Sequence, residues 1–197
     1  MEKLRLYLSS APDLRFERAV LARAVAEIPT SLGWLIRQTP NEAREPDLSA
    51  VRRADAFILL LGRDIQAPVG LEWNTAQRAG ARVWAFYNTA TRQTQAAQAF
   101  ISEVERFTRW QKFSTAAELR YKVLRALVEH LIARREAYAL DTAEVERLRS
   151  WREQLKPTPV DDLRAHTHAN AVIFTTERYE PSSGVLIQPP PAEDAHP

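Results

Sequence analysis

Glu72 stands between Leu71 and Trp73 in the stretch APVGLEWNTAQRAGARVWAF, residues 67–86. The stretch reads as a loop containing Pro68 and Gly70, a short amphipathic helix over 71–78 and an apolar strand over 82–87. A carboxylate at such a helix start either complements the positive end of the helix dipole or is placed to act on a ligand. Other groups could join it. Ser9 and Ser10 are paired hydroxyls behind the apolar run 4–8, and Arg63 with Asp64 forms a charged pair just after Gly62. Tyr7 and Trp73 offer aromatic faces. Amides at the helix start near Asp13 suit a phosphate or another anion, with the Asp13 carboxylate competing for them. Each feature also has an ordinary role. Ser9, Ser10 and Asp13 can end a strand and cap a helix, Arg63 and Asp64 can form a loop ion pair or a turn, and Trp73 can pack on a sheet.

Several other chemistries lack their residues. The sequence contains no GxGxxG or GxxxxGK[ST] phosphate loop. It has no cysteine, which removes disulfides, thiolate metal sites and cysteine nucleophiles, and which fits a reducing compartment. Of the four histidines, His166 and His168 could share one strand face, but no third ligand stands at a diagnostic spacing, so no metal is expected. His130 reads as a surface or boundary residue on a long helix. No nucleophile-elbow motif supports a Ser-His-Asp triad.

The groups near Glu72 can meet only if the fold brings them together. Apolar runs at 4–8, 32–37, 56–61, 82–87 and 110–113 alternate with helical patterns at 16–28, 47–53, 71–78, 95–107 and 115–136. The run 56–61 is continuously apolar, as in a strand buried on both faces. This alternation predicts an α/β fold: a doubly wound, mainly parallel five-stranded sheet of flavodoxin-like order 2-1-3-4-5. Ligands of such sheets bind beyond the carboxyl ends of the strands where the order reverses, here between the first and third strands. The loops 9–13 and 62–70 emerge at that crevice, and the second delivers Glu72.

The expected organisation is an α/β domain over 1–136, an extension over 137–188 and a disordered tail over 189–197. The extension holds a charged helix near 141–155 and apolar runs at 170–175 and 185–187 that could pair as a hairpin or strap. With 27 Lys and Arg against 25 Asp and Glu, spread along helix faces, the chain offers no electrostatic case for nucleic acid. The opening MEKLRLYLSSAPDL lacks a signal-peptide apolar region, and no run approaches the roughly 18 apolar residues of a membrane span. A cytoplasmic location without membrane contact is expected.

Two blocks resemble a known family. LRLYLSSAPDLRFERAVLARAV is similar to the opening of a family of uncharacterised domains found at the N-termini of bacterial signalling ATPases. ADAFILLLG followed by APVGLEWNTAQRAGARVWAF resembles that family's second signature, so the likeness spans roughly residues 4–130. The family is similar to Toll/interleukin-1 receptor (TIR) domains and to nucleoside 2-deoxyribosyltransferases. The resemblance implies a TIR-like fold, with Glu72 as the glutamate that acts at an N-glycosidic bond in the enzymatic members. The implied substrate is NAD or a related nucleoside, with no further cofactor. A carboxylate there would stabilise or trap the oxocarbenium character of a breaking ribosyl–base bond, and Trp73 or Tyr7 would stack on base or sugar. Ser9, Ser10, Arg63 and Asp64 would line the ligand crevice. The family also implies prokaryotic signalling or antiphage defence. Many TIR-like domains are interaction modules, so a second expectation is self-association, binding of a signalling partner, or nucleotide sensing without turnover. The Asp-Gly that usually precedes the transferase glutamate is absent, its place falling within Ala67-Pro68-Val69-Gly70-Leu71. The serine-tryptophan-cysteine context of many TIR hydrolases is absent as well.

Overall fold

A computed structural model describes residues 3–40 and 45–157 of the chain. Strands β1 (Lys3–Ser10), β2 (Gly33–Gln38), β3 (Ala56–Leu61), β4 (Arg82–Asn88) and β5 (Trp110–Phe113) form one sheet in the order β2-β1-β3-β4-β5. Every adjacent pair is parallel. This is the flavodoxin-like doubly wound arrangement, with the reversal of strand order between β1 and β3. The central strand AFILLL is buried along its whole length because helices cover both of its faces.

The helices are α1 (Arg15–Ala24), α2 (Leu48–Arg52), α3 (Ala67–Arg78), α4 (Gln95–Glu105), α5 (Ala116–Ala133) and α6 (Thr142–Gln154). Alternation along the strands divides the core into two layers. Leu4, Leu6, Leu8, Ile58, Leu60 and Phe86 pack with Leu21, Leu124, Val128 and Leu148 from α1, α5 and α6. Tyr7, Phe57, Leu59, Leu61 and Ala85 pack with Val51, Val69, Trp73 and Phe100 from α2, α3 and α4. Asp47, Thr94, Thr115 and Asp141 cap α2, α4, α5 and α6, each accepting a backbone N–H of the first turn. Helix α3 ends where Gly80 takes the left-handed conformation (φ 70°). Gly80 N–H then bonds Gln77 O and Ala81 N–H bonds Ala76 O, closing a Schellman turn.

Two expectations at helix starts are corrected. Helix α3 begins at Ala67, four residues earlier than the Pro/Gly pattern suggests, because Pro68 falls in the first turn, where its missing N–H costs no intrahelical bond. Glu72 therefore lies beyond the first turn. Asp13 caps nothing. It sits in a single 3-10 turn (Pro12–Leu14), and α1 has no side-chain cap.

The helix α6 docks on α5 through Val145 and Leu148, and Glu144 accepts the Ser31 N–H (2.8 Å), tying it to the turn before β2. The runs 170–175 and 185–187, the tail and the His166/His168 pair lie outside the described residues.

His130, near the end of α5, is part-buried, hydrogen-bonded to the Tyr138 hydroxyl (2.8 Å) and set edge-on to Trp84 (5.3 Å). Burial, then the neighbouring Arg134 and Arg82, lowers its pKa from 6.5 to about 4, with Asp55 opposing. A depressed histidine contributes stability that is present above pH 6.5 and lost as the pH falls through about 4. In urea titrations, the wild type is expected to lose more stability across that window than His130→Phe, which keeps a ring against Trp84. Parallel losses would remove His130 from the acid response.

Candidate functional site

The carboxyl ends of β1 and β2 meet α3 at one buried polar cluster. Glu72, on α3, has 0% of its surface exposed. Its Oε1 accepts the Tyr7 hydroxyl (2.7 Å), and its Oε2 accepts both the Ser9 hydroxyl (2.6 Å) and the Thr39 hydroxyl (2.6 Å). The sequence produces this convergence through strand alternation. Tyr7 and Ser9 are two residues apart on β1 and face the same layer, toward α3. Tyr7 also stacks on Phe57 of β3, with rings nearly parallel at 5.7 Å.

Thr39 is held on four sides. Its N–H bonds Leu8 O (3.1 Å), its hydroxyl accepts Ser10 N–H (3.1 Å) as it donates to Glu72, and its carbonyl accepts the buried Arg18 guanidinium (2.8 Å). Neither Thr39 nor Arg18 stands out in the sequence. Strand register places Thr39: Leu8 pairs with Gln38, so the residues that follow them, Ser9 and Thr39, meet at the same level.

Burial raises the Glu72 pKa above its ordinary value, while the bonds from Ser9, Thr39 and Tyr7 and the charge of Arg18 pull it down. Tyr7 is raised by burial first and by Glu72 second, so its proton stays on oxygen and is available to the carboxylate. Burial, then Arg15, lowers Arg18, with Glu72 opposing that shift. The cluster is thus a carboxylate whose proton affinity is raised by removal from water and partly restored by three hydroxyl donors.

The remaining expected residues lie elsewhere or face away. Trp73 is buried among the α2–α4 layer against Phe107 (6.3 Å), and its Nε1, like the Ser10 Oγ, has no hydrogen-bond partner among the described residues. Asp64 accepts the Thr94 hydroxyl (2.5 Å) and Ile65 N–H (2.8 Å), and these bonds, with the charge of Arg63 a smaller cause, lower its pKa. The Arg63 side chain lines a separate open depression beside Thr91–Thr94. Between β1 and β3, Asp13 accepts the Arg63 N–H (2.7 Å) and lies directly over Gly62.

No protein-family model matches the chain, and no curated protein does. The resemblance to TIR-like domains therefore rests on its two sequence blocks. Among the described residues no helix is long and apolar enough to cross a membrane, and no group of three His, Asp or Glu side chains could hold a metal ion.

Proposed function

We propose that the chain is a TIR-like module that recognises a ligand or partner without turning it over, and that Glu72 ties its carboxyl edge together. The observation that carries this reading is the closure of Glu72: no accessible surface, and both oxygens engaged by the chain's own hydroxyls. A carboxylate that attacks or shields a reacting carbon must approach it to about 3–3.5 Å. Tyr7, Ser9 and Thr39 occupy those approaches. Each hydroxyl has one proton, and a proton donated to Glu72 is not available to a ligand. The module would act in signalling or assembly, through self-association, a partner protein or a sensed nucleotide.

Incubation of the purified chain with NAD, with nicotinamide release followed beside Glu72→Gln, tests the reading. The expected result is no Glu72-dependent release. Release by the wild type that Glu72→Gln abolishes would overturn it. Calorimetry against nucleotides then separates a sensor from an assembly module.

A second reading is favoured by the place of the cluster beside the reversal of strand order, with Tyr7 and Ser9 on β1 and Glu72 on the helix that follows β3. A buried carboxylate of raised proton affinity, oriented by a tyrosine and a serine, is the arrangement expected of a group kept for chemistry. In that reading the chain hydrolyses the N-glycosidic bond of NAD or a related nucleoside. Thr39 would withdraw, a ligand hydroxyl would take its bond to Oε2, and the ionised Glu72 would stabilise the developing oxocarbenium ion. The same NAD experiment decides between the two.

A further inference from the structure

The loops that follow β3 and β4 border an open depression of about 410 Å³ at the carboxyl edge, lined by Arg63, Thr91, Arg92, Gln93 and Thr94, of which Arg63, Thr91 and Arg92 are exposed. Every side chain in that wall carries a hydrogen-bond donor and none carries a carboxylate. The wall is held in place from behind. Thr94 N–H bonds Arg63 O (2.9 Å), the Thr94 hydroxyl bonds Asp64 (2.5 Å), and the Gln93 carboxamide donates to Asn88 O. The Thr94 bonds join the two loops and use its donors, and the Asn88 bond uses one of the two Gln93 N–H donors.

What remains is the Thr91 hydroxyl, the second N–H of the Gln93 carboxamide and two guanidinium groups. Among the described residues neither Arg63 nor Arg92 has a side-chain hydrogen bond or ion pair. Of the two nearby carboxylates, Asp13 accepts the Arg63 N–H, and Asp64 accepts Ile65 N–H and the Thr94 hydroxyl and also feels the charge of Arg63 without a direct bond to its side chain. Helix α4 starts at the same wall, directing the positive end of its dipole toward the depression. Two planar donor forks with an added hydroxyl match the oxygens of a phosphate better than those of a neutral sugar or base.

We infer that Arg63 and Arg92, with Thr91, form a binding site for a phosphate-bearing small molecule over the ends of β3 and β4. The site is separate from the Glu72 cluster and does not depend on whether that carboxylate reacts. A failure here leaves the NAD result standing, and the reverse holds as well.

Isothermal titration of the full chain with pyrophosphate and with ADP, at one fixed ionic strength, tests the site. The comparison proteins are Arg63→Gln, Arg92→Gln and Arg125→Gln, the last removing an equal charge from α5. The wild type is expected to bind pyrophosphate saturably, with roughly tenfold weakening in each of the first two variants and none in Arg125→Gln. Tighter binding of ADP than of pyrophosphate would identify a nucleotide as the ligand. Equal binding would mean that the phosphates alone are read. Absence of saturable binding of either compound up to about 1 mM overturns the inference. So does equal weakening by Arg125→Gln, which would reduce the effect to net charge. Thermal melts of all four proteins, expected to coincide, exclude misfolding as the cause of lost binding.

Discussion

Glu72→Ala is expected to lower the unfolding free energy by about 3–5 kcal/mol, from buried hydroxyls left without their acceptor and from the cavity. It leaves three inward-facing hydroxyls around a space once filled by the carboxylate, so desolvation and cavity costs act together. Glu72→Gln keeps the shape and one acceptor oxygen. It places an NH₂ donor against hydroxyls that had been donating, for a loss of about 1–2 kcal/mol. Urea denaturation with an unchanged slope reads both values. An alanine variant within about 0.5 kcal/mol of wild type would mean that the carboxylate ties nothing. The pH dependence gives an independent check. A carboxyl group whose folded pKa lies above its ordinary 4.5 contributes stability that is present below 4.5 and lost as the pH rises through the folded value. The advantage of wild type over Glu72→Gln is therefore greatest at low pH and shrinks on raising it. His130 is common to both proteins, so its opposite trend cancels in the difference.

The sheet was legible because its signals are local. AFILLL, six apolar residues closed by Gly62, has the length and the stop of a strand buried on both faces, and the structure places β3 over those six residues. Right-handed crossovers narrow the possible strand orders without choosing one, and 2-1-3-4-5, expected from five strands in a chain of this length, is the order observed. The start of α3 was less legible. Pro68 and Gly70 read as loop residues by composition, whereas a proline in the first turn opens a helix. That shift removes the helix-dipole explanation for Glu72 and leaves tertiary hydrogen bonding in its place. Tyr7 and Ser9 could be read as neighbours of Glu72 from the topology. Thr39 and Arg18 could not, because their roles depend on strand register and on a guanidinium reaching across layers, neither of which has a sequence pattern. For Asp13 the local capping rule pointed to α1, and a long-range bond to the Arg63 amide prevailed.

Gly62→Ala is expected to destabilise the chain by about 1 kcal/mol, the cost of the Asp13 bond that must open to make room. A β-carbon at Gly62 would stand 2.7 Å from Asp13 Cγ and 2.9 Å from its Oδ1, and closer still to Oδ2. The constraint is steric rather than conformational, since Gly80 is the glycine with positive φ among the described residues. Relief requires Asp13 to move, and the same carboxylate holds the Arg63 N–H, so the substitution also breaks the bond that joins the β1 and β3 loops. Asp13→Ala alone costs about 1 kcal/mol for that bond. In the Asp13→Ala background the added methyl finds room, and Gly62→Ala is expected to cost less than about 0.5 kcal/mol. A double-mutant cycle by urea denaturation measures the coupling. Equal costs in the two backgrounds would show that Asp13 does not occupy the space above Gly62. The coupling also bears on function. In an open parallel sheet a ligand would enter at the level of this contact, between β1 and β3. A side chain whose removal relieves Gly62→Ala is one that fills the crevice, and the Asp13→Ala protein is accordingly the form in which ligand entry toward Glu72 should be assayed with NAD.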